Sequence, residues 1–226
     1  MINKPGQDNV QELARSLVNE IRTLSIQNTP NIRAIRRKYS RKLKNTDAKV
    51  ILTLAKEIFK NYAYRWVAFE LIRNHKPAFR CIGEAELQEF SGGLDSWGAV
   101  DCFACILAGP AWLHGQITDD LIYKWAHSED PWRRRTALVC TVTLNQPSAG
   151  GTGDVPRTLE MCRILKDDKD DMVVKAMSWA LRELIPHDAA AVGDFLKKYE
   201  PVLAARVKRE VNNKLTTGLK NPKKKP

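Results

Sequence analysis

Between Trp97 and Leu113 the chain carries a single charged residue, Asp101. Everything around it is Gly, Ala, Val, Cys, Phe, Ile, Leu, Pro or Trp. An ionised carboxylate in apolar surroundings is costly, so something must offset it. Four-residue helical spacing puts Trp97 one turn below Asp101 on the same side, at the shoulder of the arc formed by Val100, Ala104 and Leu107. An indole beside a carboxylate could line a cleft for a cationic group. The structural alternative is that Asp101 caps or bridges a neighbouring helix.

Two further places have chemistry in their spacing. In Met172–Glu183 the apolar stripe is Val173, Val174, Met177, Leu181 and Leu184, while Trp179 sits on the side shared with Lys175 and Arg182. An aromatic among cations suits contact with a nucleic acid; packing against the next helix is the alternative. In Asp130-Pro-Trp-Arg-Arg-Arg-Thr136 three arginines fill a helical first turn, where the helix dipole disfavours positive charge and Glu129 and Asp130 compensate only part of it. Arg134 and Arg135 flank the apolar arc of Leu138 and Val142, and Arg133 faces away. Paired guanidinium groups suit phosphate oxygens; a salt-bridged helix start is the alternative.

Other signals are weaker. Cys102-Phe-Ala-Cys105 has the spacing of a redox or zinc pair, but it lies in an apolar helix with no second pair, so core packing is the expected role. His75, His114, His127 and His187 are isolated, and no metal site is expected.

The elements that must position these residues are helical. Val10, Leu13, Leu17, Ile21 and Leu24 recur at three- and four-residue steps, as do Val50, Ile51, Leu54, Ile58 and Phe59. Trp66, Phe69 and Leu71–Ile72 repeat the pattern less cleanly. Further helices are expected near 84–91, 96–108, 118–127, 131–145, 156–166, 171–185, 189–199 and 201–215. Asp130-Pro131 reads as an N-cap followed by proline at the first helical position, with Thr118 and Asp95 as further N-caps. Gly92-Gly93, Gly109-Pro110 and Pro186 read as breaks. Short helices joined by short turns predict an all-α fold of stacked antiparallel pairs, an α-solenoid, with a compact bundle as the other option. One helical domain is expected over residues 1–219. Gln146–Pro156, with Gly150-Gly-Thr-Gly153, reads as a flexible connection, and 220–226 as a disordered basic tail.

The net charge of +11 is concentrated. Residues 31–49 hold eight Lys or Arg against Asp47 alone, and residues 197–226 hold ten against Glu200 and Glu210. Brought to one face, these segments would bind phosphate; apart, they are solvated helix faces and a basic tail. The hydrophobic fraction of 43% excludes a disordered composition. The uncharged run Cys102–Leu113 is too short to span a bilayer, so no membrane role is expected. Five scattered cysteines without an export signal read as reduced thiols in a cytoplasmic, nucleoid-associated protein.

The same three places resemble the AlkD-type alkylpurine DNA glycosylases. Trp97-Gly-Ala-Val-Asp101 resembles that family's Trp-x-x-Val-Asp element, and Trp132-Arg-Arg-Arg135 its Trp-x-x-Arg helix start. Lys175-Ala-Met-Ser-Trp179-Ala-Leu-Arg-Glu183 is similar to its Lys-Ala-x-x-Trp-x-Leu-Arg-Glu, and Ile26-Gln-Asn-Thr-Pro30 looks like its opening. The resemblance implies a HEAT-like solenoid whose concave face holds duplex DNA carrying cationic N3- or N7-alkylated purines. It implies Asp101 as the catalytic carboxylate, Trp97 and Trp179 as aromatic walls, and Arg135 as a phosphate contact. With Arg134, Lys175 and Arg182, Arg135 makes up the expected DNA-binding set. No cofactor is required, and a monomer is expected. The base is not expected to be extruded. The chain departs from the family pattern at Ser96 and Gly98, where an aromatic and an acid are common.

Three functions compete: a monofunctional glycosylase, a catalytically silent duplex-binding module, and a protein-binding helical scaffold. A silent binder has no use for Asp101, which repels phosphate. A scaffold has no use for the arginine triplet.

Overall fold

Side chains that can cap a helix stand at most of the starts. The computed structural model describes residues 7–222; the Lys223–Pro226 end of the expected disordered tail lies outside the described residues. The first unit, ending at Gly92, holds α1 (Gln7–Arg22), α2 (Thr29–Lys42), α3 (Ala48–Asn61), α4 (Arg65–Arg73), α5 (Lys76–Arg80) and α6 (Glu84–Phe90). The second, beginning at Gly93, holds α7 (Trp97–Phe103), a π-helical turn (Ala104–Ala108), α8 (Gly109–Leu113), α9 (Asp119–Ala126), α10 (Pro131–Asn145), α11 (Val155–Ile164), α12 (Asp171–Leu184), α13 (Ala189–Lys198) and α14 (Ala205–Thr217). No strand occurs among the described residues. The carboxylates of Asp47, Asp130, Asp154, Asp170 and Asp188 each accept a backbone N–H from the first turn they precede. Each satisfies a donor that the helix cannot. Thr118 stands at the N-cap of α9, but Ser96 rather than Asp95 occupies that place before α7.

The helices pair and the pairs stack. In the first unit α1 packs on α2 and α3 on α4, while α1 also meets α3 and α2 meets α4. In the second, α9, α11 and α13 form one layer and α10, α12 and α14 the other, each helix touching its partner and the next of its own layer. That is the pattern of HEAT-like repeats, in which each pair buries its apolar face against the next. Phe59, Phe69 and Phe90 fill the first core with centroids 5.4–6.0 Å apart. In the second unit α10 is buried without interruption from Arg135 to Asn145 because α7, α8, α9, α11 and α12 surround it. Two of its threonines bond back onto the helix: Thr136 Oγ1 donates to Trp132 O and Thr141 Oγ1 to Leu138 O.

Three expectations are corrected. Gly109-Pro110 does not break the chain; helix continues from Trp97 to Leu113. The Gly109 N–H donates to Ala104 O five residues back, and this widened turn accommodates a proline that has no N–H to give. Gln146–Pro156 is not a loose connection. Gly151 N–H donates to Gln146 O, Gly153 N–H to Leu144 O, and Asp154 N–H to Asn145 Oδ1. Gly153, at φ 96°, lies so close to His187 that a Cβ there would sit 2.6 Å from the imidazole. Lys220, at the start of the expected tail, is engaged: its ammonium lies 3.3 Å from Glu210 and its carbonyl accepts from Asn213.

Besides α8, two helices are absent from the sequence expectations, α2 and the five-residue α5. α2 buries Ile32, Ile35, Arg36 and Tyr39, so a guanidinium interrupts its apolar stripe and thins the periodic signal.

Candidate functional site

Asp101 lies on α7 and Arg135 in the first turn of α10. Arg135 Nε donates to Asp101 Oδ1 and its Nη2 to Oδ2, both at 2.8 Å. The third arm, Nη1, donates to the carbonyl of Met172 in the first turn of α12. One guanidinium thus ties three helices together. Its planar fork matches a carboxylate in two parallel bonds, which fixes the carboxylate plane. The Arg135 side chain is 6% exposed and that of Asp101 17%. The carboxylate keeps an open edge while its counter-charge is walled in. This is the compensation that an acid in an apolar helix demands. It also makes the bridging alternative for Asp101 a fact of the fold.

Arg135 differs most from its sequence expectation, because it is buried and committed to protein partners rather than facing solvent. Arg134 is likewise engaged: Nε donates to Asp168 at 2.6 Å and Nη1 to the carbonyls of Ser128 and Glu129. These three acceptors balance a guanidinium that stands where the helix dipole opposes it.

Trp97, the first residue of α7, is 62% exposed, an unusual cost for an indole that packing does not explain. Trp179 is half-buried on α12, with its indole N–H donated to Glu183 Oε1 at 3.0 Å. Lys175, one turn earlier, pairs with Asp171 at 2.6 Å. Arg182 donates to Ser178 Oγ at 3.3 Å, and its burial lowers the guanidinium pKa. All seven predicted residues belong to the second unit, on α7, α10 and α12.

Cys105 stands one turn beyond Asp101. Burial first, and then the Asp101 charge, push its thiol up to about 12, and Glu183 adds to the shift while Arg135 opposes it. It stays protonated at neutral pH and supplies no thiolate, so the Cys102–Cys105 spacing gains no redox or zinc reading from its chemistry. All five cysteines are free, and no cluster of His, Cys, Asp or Glu among the described residues could hold a metal.

A second polar network ties α12 to α14. Buried Ser178 Oγ donates to Glu210 Oε2 of α14 at 2.6 Å, and Lys220 closes on the same carboxylate. Burial pushes the Glu210 carboxyl up, but Ser178, Lys220 and Arg182 outweigh it and its pKa lies below the usual carboxylate value. Sequence reasoning passed over this group. The signal was there: Glu210 sits among Val207 and Val211 on an apolar stripe, where an acid needs a partner.

No helix of the described residues is long and apolar enough to cross a membrane. No curated protein matches the chain at a significant level. A family model described as DNA alkylation repair enzyme matches residues 6–215, nearly the whole chain and all of the site. With this match and the paired helices that carry Trp97, Asp101, Arg135 and Trp179, the chain belongs to the DNA alkylation repair enzyme family.

Proposed function

We propose that the protein is a monofunctional DNA glycosylase that hydrolyses the N-glycosidic bond of cationic N3- or N7-alkylated purines in duplex DNA, without extruding the base. The observation that carries this reading is the geometry of Asp101: a carboxylate held rigidly by Arg135, open on one edge, one turn from an exposed indole. An alkylated purine already bears positive charge and leaves as a neutral base when the C1′–N bond breaks. The electron pair stays with the base, and C1′ becomes oxocarbenium-like. A fixed carboxylate beside that carbon stabilises the developing cation, and water then adds to C1′ and releases a proton. No general acid is needed to activate the leaving group. Trp97 and Trp179 supply apolar faces to the lesion.

In this reading Arg135 serves the reaction by holding Asp101, and a phosphate could reach it only at the edge of that pair. Arg134, Lys175 and Arg182 contribute positive potential along the DNA, tempered by Asp168, Asp171 and Glu210. The basic stretch 31–49 adds non-specific phosphate attraction that weakens steeply with salt.

The test is single-turnover release of methylated purine from duplex DNA by the parent protein and by Asp101→Asn. Release by the parent and a fall of roughly 10²-fold in the variant are expected, the usual cost of losing one preorganised charged group. Salt-sensitive duplex binding with no base release would leave the silent binding module as the reading.

A further inference from the structure

Glu183 has no role in the reaction described above, yet its position is unusual. It lies one turn beyond Trp179 on α12, and its Oε1 accepts the Trp179 indole N–H at 3.0 Å. The indole is half-buried, so its ring could adopt more than one rotamer at the surface. A carboxylate acceptor one turn away selects one of them, because the N–H vector fixes the ring plane. Arg135 ties Asp101 to the first turn of α12, the helix that carries both Trp179 and Glu183.

We propose that Glu183 is a positioning residue: it locks the Trp179 indole in one orientation on the helix that Arg135 ties to Asp101. The argument rests on the glycosylase reading for the consequence in catalysis, but the lock itself is a property of the folded chain. An indole free to rotate would present its face to the lesion only part of the time. A fixed one removes that entropic loss before DNA arrives.

The function of the lock is hydrogen-bond acceptance rather than charge. A glutamine retains an acceptor oxygen of the same reach, whereas an alanine removes it. The two variants therefore separate positioning from electrostatics.

The experiment uses the full chain and two measurements. The first is the indole N–H region of the 1H–15N spectrum without DNA, with the Trp179 resonance identified by its loss in Trp179→Phe. In Glu183→Ala the resonance should move towards the position of a water-exposed indole and exchange faster, while melting temperature changes little. In Glu183→Gln it should stay near its parental position. The second is single-turnover release of methylated purine. Glu183→Ala should slow it about tenfold, the scale of one hydrogen bond, and Glu183→Gln should restore most of the rate.

An indole resonance unmoved in Glu183→Ala would overturn the proposal. So would release by Glu183→Gln as slow as by Glu183→Ala with the resonance in place, because charge would then be the operative property. If the parent protein releases no base, the glycosylase reading falls. The spectra would still decide whether Glu183 holds the indole.

Discussion

Each unit contains an arginine–carboxylate cluster, and the two are built differently. In the first, Glu70 accepts from Arg33 Nε at 2.7 Å and from Arg36 Nε at 2.9 Å, and its side chain is 8% exposed. Two cations close over one acid, and Arg33 stacks toward Trp66 at 5.7 Å. In the second, one cation serves Asp101, and the carboxylate is about twice as exposed as Glu70 while its arginine is more buried. The first cluster hides its acid and leaves part of an arginine outside. The second hides its arginine and leaves an edge of acid outside. A closed pair fixes the packing of α2 against α4; an open one can meet a cation from solution. The type of residue is the same in both, and the difference lies in which partner the surrounding helices bury.

The largest expected effects set these clusters against each other. Glu70→Gln leaves Arg33 and the buried Arg36 short of a counter-charge and should lower stability by about 3 kcal/mol, with base release per folded molecule unchanged. Asp101→Asn should cost a similar amount, because the buried Arg135 loses its counter-charge, but unlike Glu70→Gln it should also cut release per folded molecule by roughly 10²-fold. Urea unfolding paired with single-turnover release checks both. Lost release in Glu70→Gln at full folding would break the distinction.

Next is the backbone that carries Asp101. A Cβ on Gly109 would stand 2.5 Å from Thr143 Oγ1 and 2.8 Å from Ala104 O. Gly109→Ala should therefore push the π-helical turn off α10, with a loss of about 1–3 kcal/mol and a slower release that follows from moving Asp101. Thermal melting and the release assay read the two effects. A variant as stable and as active as the parent would show that the close approach is not needed.

A third acid sharpens the comparison through pH. Glu210 is closed like Glu70, and its pKa is depressed in the folded state. Its ionised form is therefore bound more favourably by the folded chain than by the unfolded one. Its contribution to stability is fully present above the ordinary carboxylate value of about 4.3 and disappears as pH falls through the lower folded value. The stability gap between the parent and Glu210→Gln should be constant from neutral pH to about pH 5.5 and close below about pH 4. Denaturant melts across that range measure it; a gap that widens on acidification would reverse the sign assigned here.

The smallest effect is a control. Gly193, in α13, has nothing within 4 Å of where a Cβ would sit. Gly193→Ala should raise stability by up to about 1 kcal/mol through helix propensity alone and leave release unchanged. A change in release would mean that α13 communicates with the site in a way its contacts do not explain.

Much of this protein is determined locally. Aspartates before apolar periods fix where α10, α11, α12 and α13 begin, because an N-cap needs only the next three residues. The need of Asp101 for a partner was legible for the same reason: it concerns one helix and its immediate neighbours. Three things depended on residues far apart in the chain. Arg135 is 34 positions from Asp101, and no periodicity reveals that its fork closes on that carboxylate instead of on a phosphate. The continuity of helix through Pro110 depends on a turn that α10 supports from across the core. The pairing of Ser178 with Glu210 spans 32 residues. Spacing within a helix follows from 3.6 residues per turn. Which buried charge finds which partner follows only from how the helices stack, since an ion pair is decided by proximity in space and by exclusion of water.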